Sequence, residues 1–122
     1  MSKSFALVIE DDENLSELFV MSMQTAGFET EAVLDGQDAL DRLEEITPDV
    51  IVLDLHLPRV SGETILKYIR GEDRLTNTRV MLATADGQAA HWLLDESDIV
   101  LLKPISPVQM RTLASRLRPS GE

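Results

Sequence analysis

Four short apolar runs punctuate the chain: Phe5 to Ile9, Val50 to Leu53, Val80 to Ala83 and Ile99 to Leu102. Each stops abruptly at a polar residue. Runs this short, rich in Val, Ile and Leu and bounded by turn residues, read as strands buried on both faces, which is how parallel strands look. Parallel strands end on a common edge, where open α/β sheets bind ligands. The residues at the four stops are Glu10-Asp11, Asp54, Thr84 and Lys103. One shared sheet would therefore bring acids, a hydroxyl and an amine together at its C-terminal rim.

Between the runs the spacing turns helical. Leu15, Leu18, Phe19, Ser22, Met23 and Ala26 share one face, with Gly27 as a C-terminal stop. Asp35-Gly36-Gln37-Asp38 announces a second helix carrying Ala39, Leu40, Leu43 and Ile46 before Pro48. Thr30 to Val33 between them reads as a weaker, edge-like strand. Ile65, Leu66 and Ile69 mark a third helix that ends near Gly71. The last helix starts with Ser106 as N-cap, Pro107 at its first position and Gln109 three residues after the cap, followed by Met110, Leu113 and Leu117. The order βαβαβαβ(α)βα needs right-handed crossovers, so helices must cover both faces. For five strands the economical fold class is a doubly wound α/β sheet of flavodoxin-like order 2-1-3-4-5, with strands 1 and 3 adjacent at the switch point.

The chain has 122 residues and no cysteine, enough for one core without disulfides or a structural metal. A single domain over residues 1–122 is expected, with a polar tail at 119–122. The first residues, Met1-Ser2-Lys3-Ser4, run directly into the first strand, and no apolar stretch approaches the roughly 20 residues that span a bilayer. The expected setting is cytoplasmic, with no membrane contact. A net charge of -11 argues against direct binding to nucleic acid, whose phosphate backbone is held by Lys and Arg clusters.

Carboxylates within about 4 Å repel by roughly 4 kcal/mol per pair at an effective dielectric near 20. A hard cation relieves that repulsion, and an all-oxygen set of carboxylates, a carbonyl, water and phosphate suits Mg²⁺. Asp12 and Glu13, by contrast, read mostly as capping residues at the start of the first helix. Asp54 fits a turn residue, a metal ligand or a carboxylate nucleophile that forms an acyl phosphate. Taken alone, Thr84 is an ordinary β-branched strand residue and Lys103 a solvated loop lysine. Beside a phosphorylated Asp, the two offer a hydroxyl donor and a positive charge to its oxygens.

Glu10-Asp11, Asp54 with Leu57-Pro58 and Ser61-Gly62, Thr84-Ala85 and Lys103-Pro104, in that order, resemble the response-regulator receiver domains of two-component signalling. The resemblance covers the chain from strand 1 through helix 5. It implies that Asp54 accepts a phosphoryl group from a partner phosphohistidine, on a sensor histidine kinase or a histidine phosphotransfer protein. It also implies Mg²⁺ held directly by Asp11 and Asp54, through water by Glu10 and by the backbone carbonyl of His56. Thr84 would hydrogen-bond the phosphoryl group, Lys103 would pair with it, and the Lys103-Pro104 peptide would be cis. The downstream receiver of the signal would be an output protein or domain. Phosphoryl transfer asks mainly for positioning and charge neutralisation, which this set supplies.

The chain departs from the family pattern on one side. Val100 stands where receivers usually carry an aromatic residue three positions before the lysine, and the stretch from Thr84 to Lys103 is short by roughly one helical turn. Helix 4 is therefore expected to be abbreviated or irregular, around Gln88 to Leu94. Trp92, the sole Trp, reads first as a core or helix-packing residue and second as an exposed interface anchor. His56 and Asp86 each lie two residues after a site residue and are expected on the pocket rim. His91 has no evident partner. Two other functions compete with the phosphoacceptor switch: a pseudo-receiver that binds partners without phosphorylation, and an aspartate-nucleophile phosphohydrolase. The second usually needs an Asp two residues after its nucleophile, where this chain has His56. In a switch, catalysis is limited to the protein's own phosphorylation and dephosphorylation, so no metabolic enzyme is expected.

Overall fold

Five parallel strands pair in the order β2-β1-β3-β4-β5 in a computed structural model that describes residues 4–119. The strands are β1 (Ser4–Ile9), β2 (Phe28–Val33), β3 (Val50–Leu53), β4 (Arg79–Thr84) and β5 (Ile99–Leu102). The helices are α1 (Glu13–Thr25), α2 (Gly36–Leu43), α3 (Gly62–Gly71), α4 (Gly87–Trp92) and α5 (Pro107–Ser115). Short 3-10 turns at Asp73–Leu75 and Leu94–Glu96 follow α3 and α4. The expected 2-1-3-4-5 order is the one observed. Among the described residues, no helix is long and apolar enough to cross a membrane.

The pleat divides the core into two layers. Ala6, Val8, Val50, Val52, Met81 and Ala83 point to one face, where Phe19 and Met23 of α1 and Met110 and Ala114 of α5 cover them. Leu7, Ile9, Ile51, Leu53, Val80 and Leu82 point to the other, under Ala39, Leu43, Ile65, Leu66 and Ile69 of α2 and α3. Strand β3 is buried along its whole length, which explains why its sequence is unbroken Val, Ile and Leu rather than alternating. Full burial of a side chain such as Phe19 contributes about 2 kcal/mol.

Element ends follow local chemistry. Asp12, Asp35, Ser61, Asp86 and Ser106 each cap a helix by accepting a backbone N–H with the side-chain oxygen. Gly27 follows α1 with φ at +103°, a conformation that L side chains rarely adopt. Four expected boundaries move, among them that of α5, which ends at Ser115 and leaves Leu117 in the turn after it. β2 begins at Phe28 rather than Thr30, because Phe28 pairs with Ser4 and is buried in the α1 and α5 layer. α2 stops at Leu43, and Ile46 sits in a following turn whose amide, like that of Glu45, bonds the Arg42 carbonyl. α4 spans Gly87 to Trp92 and passes into the 3-10 turn, so it is short as expected but set about a residue or two earlier. Of the expected polar tail, positions 120–122 lie outside the described residues, as do Met1, Ser2 and Lys3.

Candidate phosphoacceptor site

The register delivers the strand ends to one place. β1 ends at Ile9 opposite Leu53 of β3, so the next residues, Glu10-Asp11 and Asp54, emerge side by side. The Asp54 amide continues the ladder by donating to the Ile9 carbonyl at 3.1 Å, and the Glu10 amide donates to Val33 at 3.2 Å. On the other side, Thr84 of β4 accepts the Lys103 amide through its carbonyl at 2.9 Å. Both acids at the strand ends are nearly buried, Glu10 at 1% and Asp54 at 4% exposed, while Asp11 faces solvent. Oxygens of Glu10, Asp11 and Asp54 all lie within 4.8 Å of one another.

Lys103 reaches across this acid group. Its Nζ lies 2.8 Å from Glu10 Oε1 and 3.6 Å from Asp54 Oδ2. Burial pulls the ammonium's pKa down, but the Glu10 and Asp54 carboxylates outweigh it and hold the group above its ordinary value. Burial also pushes the Glu10 carboxyl up, with the nearby Asp54 charge adding to it, against the lowering effect of Lys103 and the Asp12 amide. One ammonium does not balance three carboxylates. Two of them about 4.8 Å apart still repel by roughly 3 kcal/mol at an effective dielectric near 20.

The remaining lone pairs are directed locally. Glu10 Oε2 accepts the Asp12 amide at 3.2 Å, and Asp54 Oδ1 accepts the His56 amide at 3.3 Å. Glu10 Oε1 is buried, and its partner is the Lys103 ammonium at 2.8 Å. An all-oxygen cluster of three carboxylates, with negative charge in excess of the one ammonium, suits a hard divalent cation. Thr84 is fully buried, and its Oγ1 accepts the Asp86 amide at 3.1 Å. The Lys103-Pro104 peptide is cis.

The rim shows what linear spacing conceals. His56 Nε2 lies 3.5 Å from Asp86 Oδ2, so the two expected rim residues meet each other. Asp86 also caps α4, and the Ala89 amide is the first cause of its lowered carboxyl pKa, with His56 adding to it. Arg59, in the loop after β3, has φ at +71° and places Nη1 3.1 Å from Asp35 Oδ2 at the start of α2. Sequence spacing marked Asp35 only as a cap and gave no sign of that strap.

Trp92 corrects the first expectation for it. It is 77% exposed and not a core residue, because the six-residue α4 buries Ala90 and, just beyond its end, Leu93 instead. His91 makes an edge contact with Trp92, their ring centroids 6.1 Å apart. Val100 is half-buried against the α2 and α3 layer.

A five-stranded 2-1-3-4-5 sheet with acids, a hydroxyl and an amine gathered at its C-terminal edge is the architecture of a receiver. Residues 6–115 match the family described as response regulator receiver domain, and the chain belongs to that family. It is 33% identical to the phosphate regulon transcriptional regulatory protein PhoB of Rhizobium meliloti, over 91% of this chain and 51% of that protein. It is 29% identical to the DNA-binding response regulator MtrA of Mycobacterium tuberculosis, over 95% of this chain and 51% of the relative. The chain thus spans about half the length of these relatives. The signal receiver domain of a Vibrio parahaemolyticus protein described as a Luxo repressor superposes with a TM-score of 0.86 at 30% identity, covering 95% of this chain and 90% of that one. Receivers bind Mg²⁺ through acidic residues, and the Glu10, Asp11 and Asp54 cluster is present here.

Proposed function

We propose that this receiver is a phosphoacceptor switch in which Asp54 takes a phosphoryl group from a phosphohistidine on a sensor kinase or phosphotransfer protein. The observation that carries it is Asp54 itself: nearly buried, with Oδ2 3.6 Å from Lys103 Nζ and its carboxylate grouped with Glu10 and Asp11. In the transfer, an Asp54 oxygen forms the new bond to phosphorus while the phosphorus–nitrogen bond breaks and the departing imidazole keeps that electron pair. Asp11, Asp54, the His56 carbonyl and, through water, Glu10 would hold Mg²⁺, which neutralises charge on the phosphoryl oxygens. Lys103 shifts from Glu10 toward those oxygens and pairs with them. Thr84 exchanges its contact with the Asp86 amide for one with the phosphoryl group. That exchange links the pocket to the start of α4, where Asp86 is the cap. The exposed side chains of Trp92 and Leu102 beside it supply a surface that an output protein or domain reads. The proposed setting is the cytoplasm, with residues 1–122 forming one receiver domain.

Incubation with Mg²⁺ and a small acyl phosphate tests this directly. Mass measurement should show one added phosphoryl group, lost in Asp54→Asn. No modification under any donor would instead favour an interaction module working without phosphorylation, a function that Val100 in the aromatic position supports. In the same assay His56→Ala should change the dephosphorylation rate, since an imidazole two residues after Asp54, 3.5 Å from Asp86, can orient or shield water near the acyl phosphate. An unchanged rate would remove His56 from the mechanism.

A further inference from the structure

The opposite edge of the sheet carries a second charged feature, of reversed sign. A cleft of about 580 Å³ opens there, lined by Asp49, Asn77, Arg79, Arg116 and Arg118 among others. Asp49 precedes β3 and Arg79 begins β4, so the cleft is separated from Asp54 by the length of a strand, about 16 Å at 3.3 Å per residue. Its volume falls within the range of small-molecule sites.

The charge pattern makes the cleft unusual for this chain. Acids outnumber bases 22 to 11, and the other described cations find carboxylates, as Arg42 does with Glu31 and Arg70 with Asp98, with the exception of Arg111. Arg116 and Arg118 have no ion-pair partner among the described residues, yet both line this cleft. Arg79 joins them from a different element, held by Asp98 at 3.2 Å. The acid in the lining, Asp49, is engaged: its Oδ2 accepts the Phe5 amide at 2.7 Å. A favourable interaction with the carbonyl end of α5 explains a cation at Arg116, its C-cap. It does not explain three guanidinium groups from two elements around one cavity.

We propose that this cleft is a binding site for a multivalent oxyanion, a compact phosphate or polycarboxylate, held by the guanidinium forks of Arg116 and Arg118 with Arg79 at its side. Guanidinium forks match phosphate and carboxylate oxygens in paired, charge-assisted hydrogen bonds. Asn77 adds an amide donor from the loop before β4. The site requires nothing of Asp54 and stands or falls separately from the phosphoacceptor function.

Titration of the full chain with pyrophosphate and with citrate, without divalent metal and at constant ionic strength, tests it by the NMR signals of the arginine Nε–H groups. The signals of Arg79, Arg116 and Arg118 should move together and saturate. The double variant Arg116→Ala with Arg118→Ala should weaken binding by about tenfold or more, the effect of losing charge-assisted hydrogen bonds. Tighter binding of pyrophosphate identifies the phosphate form of the ligand, and tighter binding of citrate the carboxylate form. Failure to saturate with either anion, shifts confined to arginines outside the cleft, or equal binding by the double variant overturns the site. Both arginines are exposed, so the variant should keep the parent's unfolding midpoint and remain interpretable.

Discussion

Three helices of this receiver start in the same way, with a capping side chain followed by glycine: Asp35-Gly36, Ser61-Gly62 and Asp86-Gly87. The space around them differs. A Cβ on Gly36 would lie 1.9 Å from the Val60 carbonyl oxygen, and one on Gly62 would lie 2.1 Å from the Asp54 carbonyl oxygen. On Gly87 it would meet only the methyl groups of Leu102, at 3.6 Å or more. Thus the α2 and α3 side presses backbone on backbone around Asp54, while the α4 side is loosely covered. The same contrast runs through the strands, since β3 is wholly buried and β5 is mostly half-buried or exposed. The proposed acceptor, Asp54, lies in the rigid half, and the surface that would carry its signal lies in the open half.

The largest expected effect tests the rigid half. Gly62→Ala forces a backbone shift at Asp54, because no side-chain rotation relieves a clash between Cβ and a carbonyl oxygen. Overpacking of this kind costs about 1–3 kcal/mol. The urea midpoint should fall, and phosphoryl incorporation should fall with it as Asp54 is displaced. A variant with the parent's midpoint would show that the loop after β3 yields easily and would erase the contrast.

Next comes the strap between that loop and α2. The Asp38 amide, first, and then Arg59 hold the Asp35 carboxyl below its ordinary value of 3.8, against the opposing effect of burial. A lowered folded-state value contributes stability that is present above the unfolded value and lost as pH falls through the folded one. Asp35→Asn keeps a capping oxygen but cannot titrate. The difference in urea midpoint between parent and variant should therefore shrink as pH is lowered below 3.8. A difference that stays constant with pH would mean that Arg59 and Asp35 do not stabilise the loop electrostatically.

Gly87→Ala has the smaller and opposite expected effect. With room for the methyl group and no positive φ to oppose it, the substitution restricts the unfolded chain and should stabilise by about 0.4–1 kcal/mol. Loss of stability in thermal or urea unfolding would place α4 in the rigid half after all.

The sequence shows the rigid half clearly because doubly buried strands leave unbroken apolar runs, and the residue ending each run falls on a known edge. Glu10, Asp54 and Thr84 could be placed for that reason, whereas Lys103 ends β5, an edge strand whose apolar run is only partly buried and not covered on both faces as expected. The open half is less legible. Trp92 belongs to a helix of six residues, too short for periodicity to reveal which side faces water. The meeting of His56 with Asp86, and of Arg59 with Asp35, joins loop residues 30 and 24 positions apart, which no local pattern encodes. Likewise, Lys103 sits closer to Glu10 than to Asp54, a choice made by side-chain packing rather than by spacing. The arginine cleft escapes for a related reason: Arg79 and Arg116 converge through strand register and the return of α5, not through sequence proximity.

The smallest expected effect on stability belongs to Trp92→Ala. At 77% exposure the side chain contributes little to the core, and its removal should change the unfolding free energy by less than about 0.5 kcal/mol. Because Trp92 is the sole Trp, its own fluorescence reports its surroundings without ambiguity. Emission should be that of a solvated indole and readily quenched by acrylamide in the unphosphorylated chain. Emission at short wavelength, protected from quencher, would mean that α4 packs its indole inward and that the two halves are equally closed. A solvated indole, combined with unchanged phosphoryl incorporation in Trp92→Ala, would instead separate the acceptor chemistry from the surface on which α4 displays its largest apolar side chain.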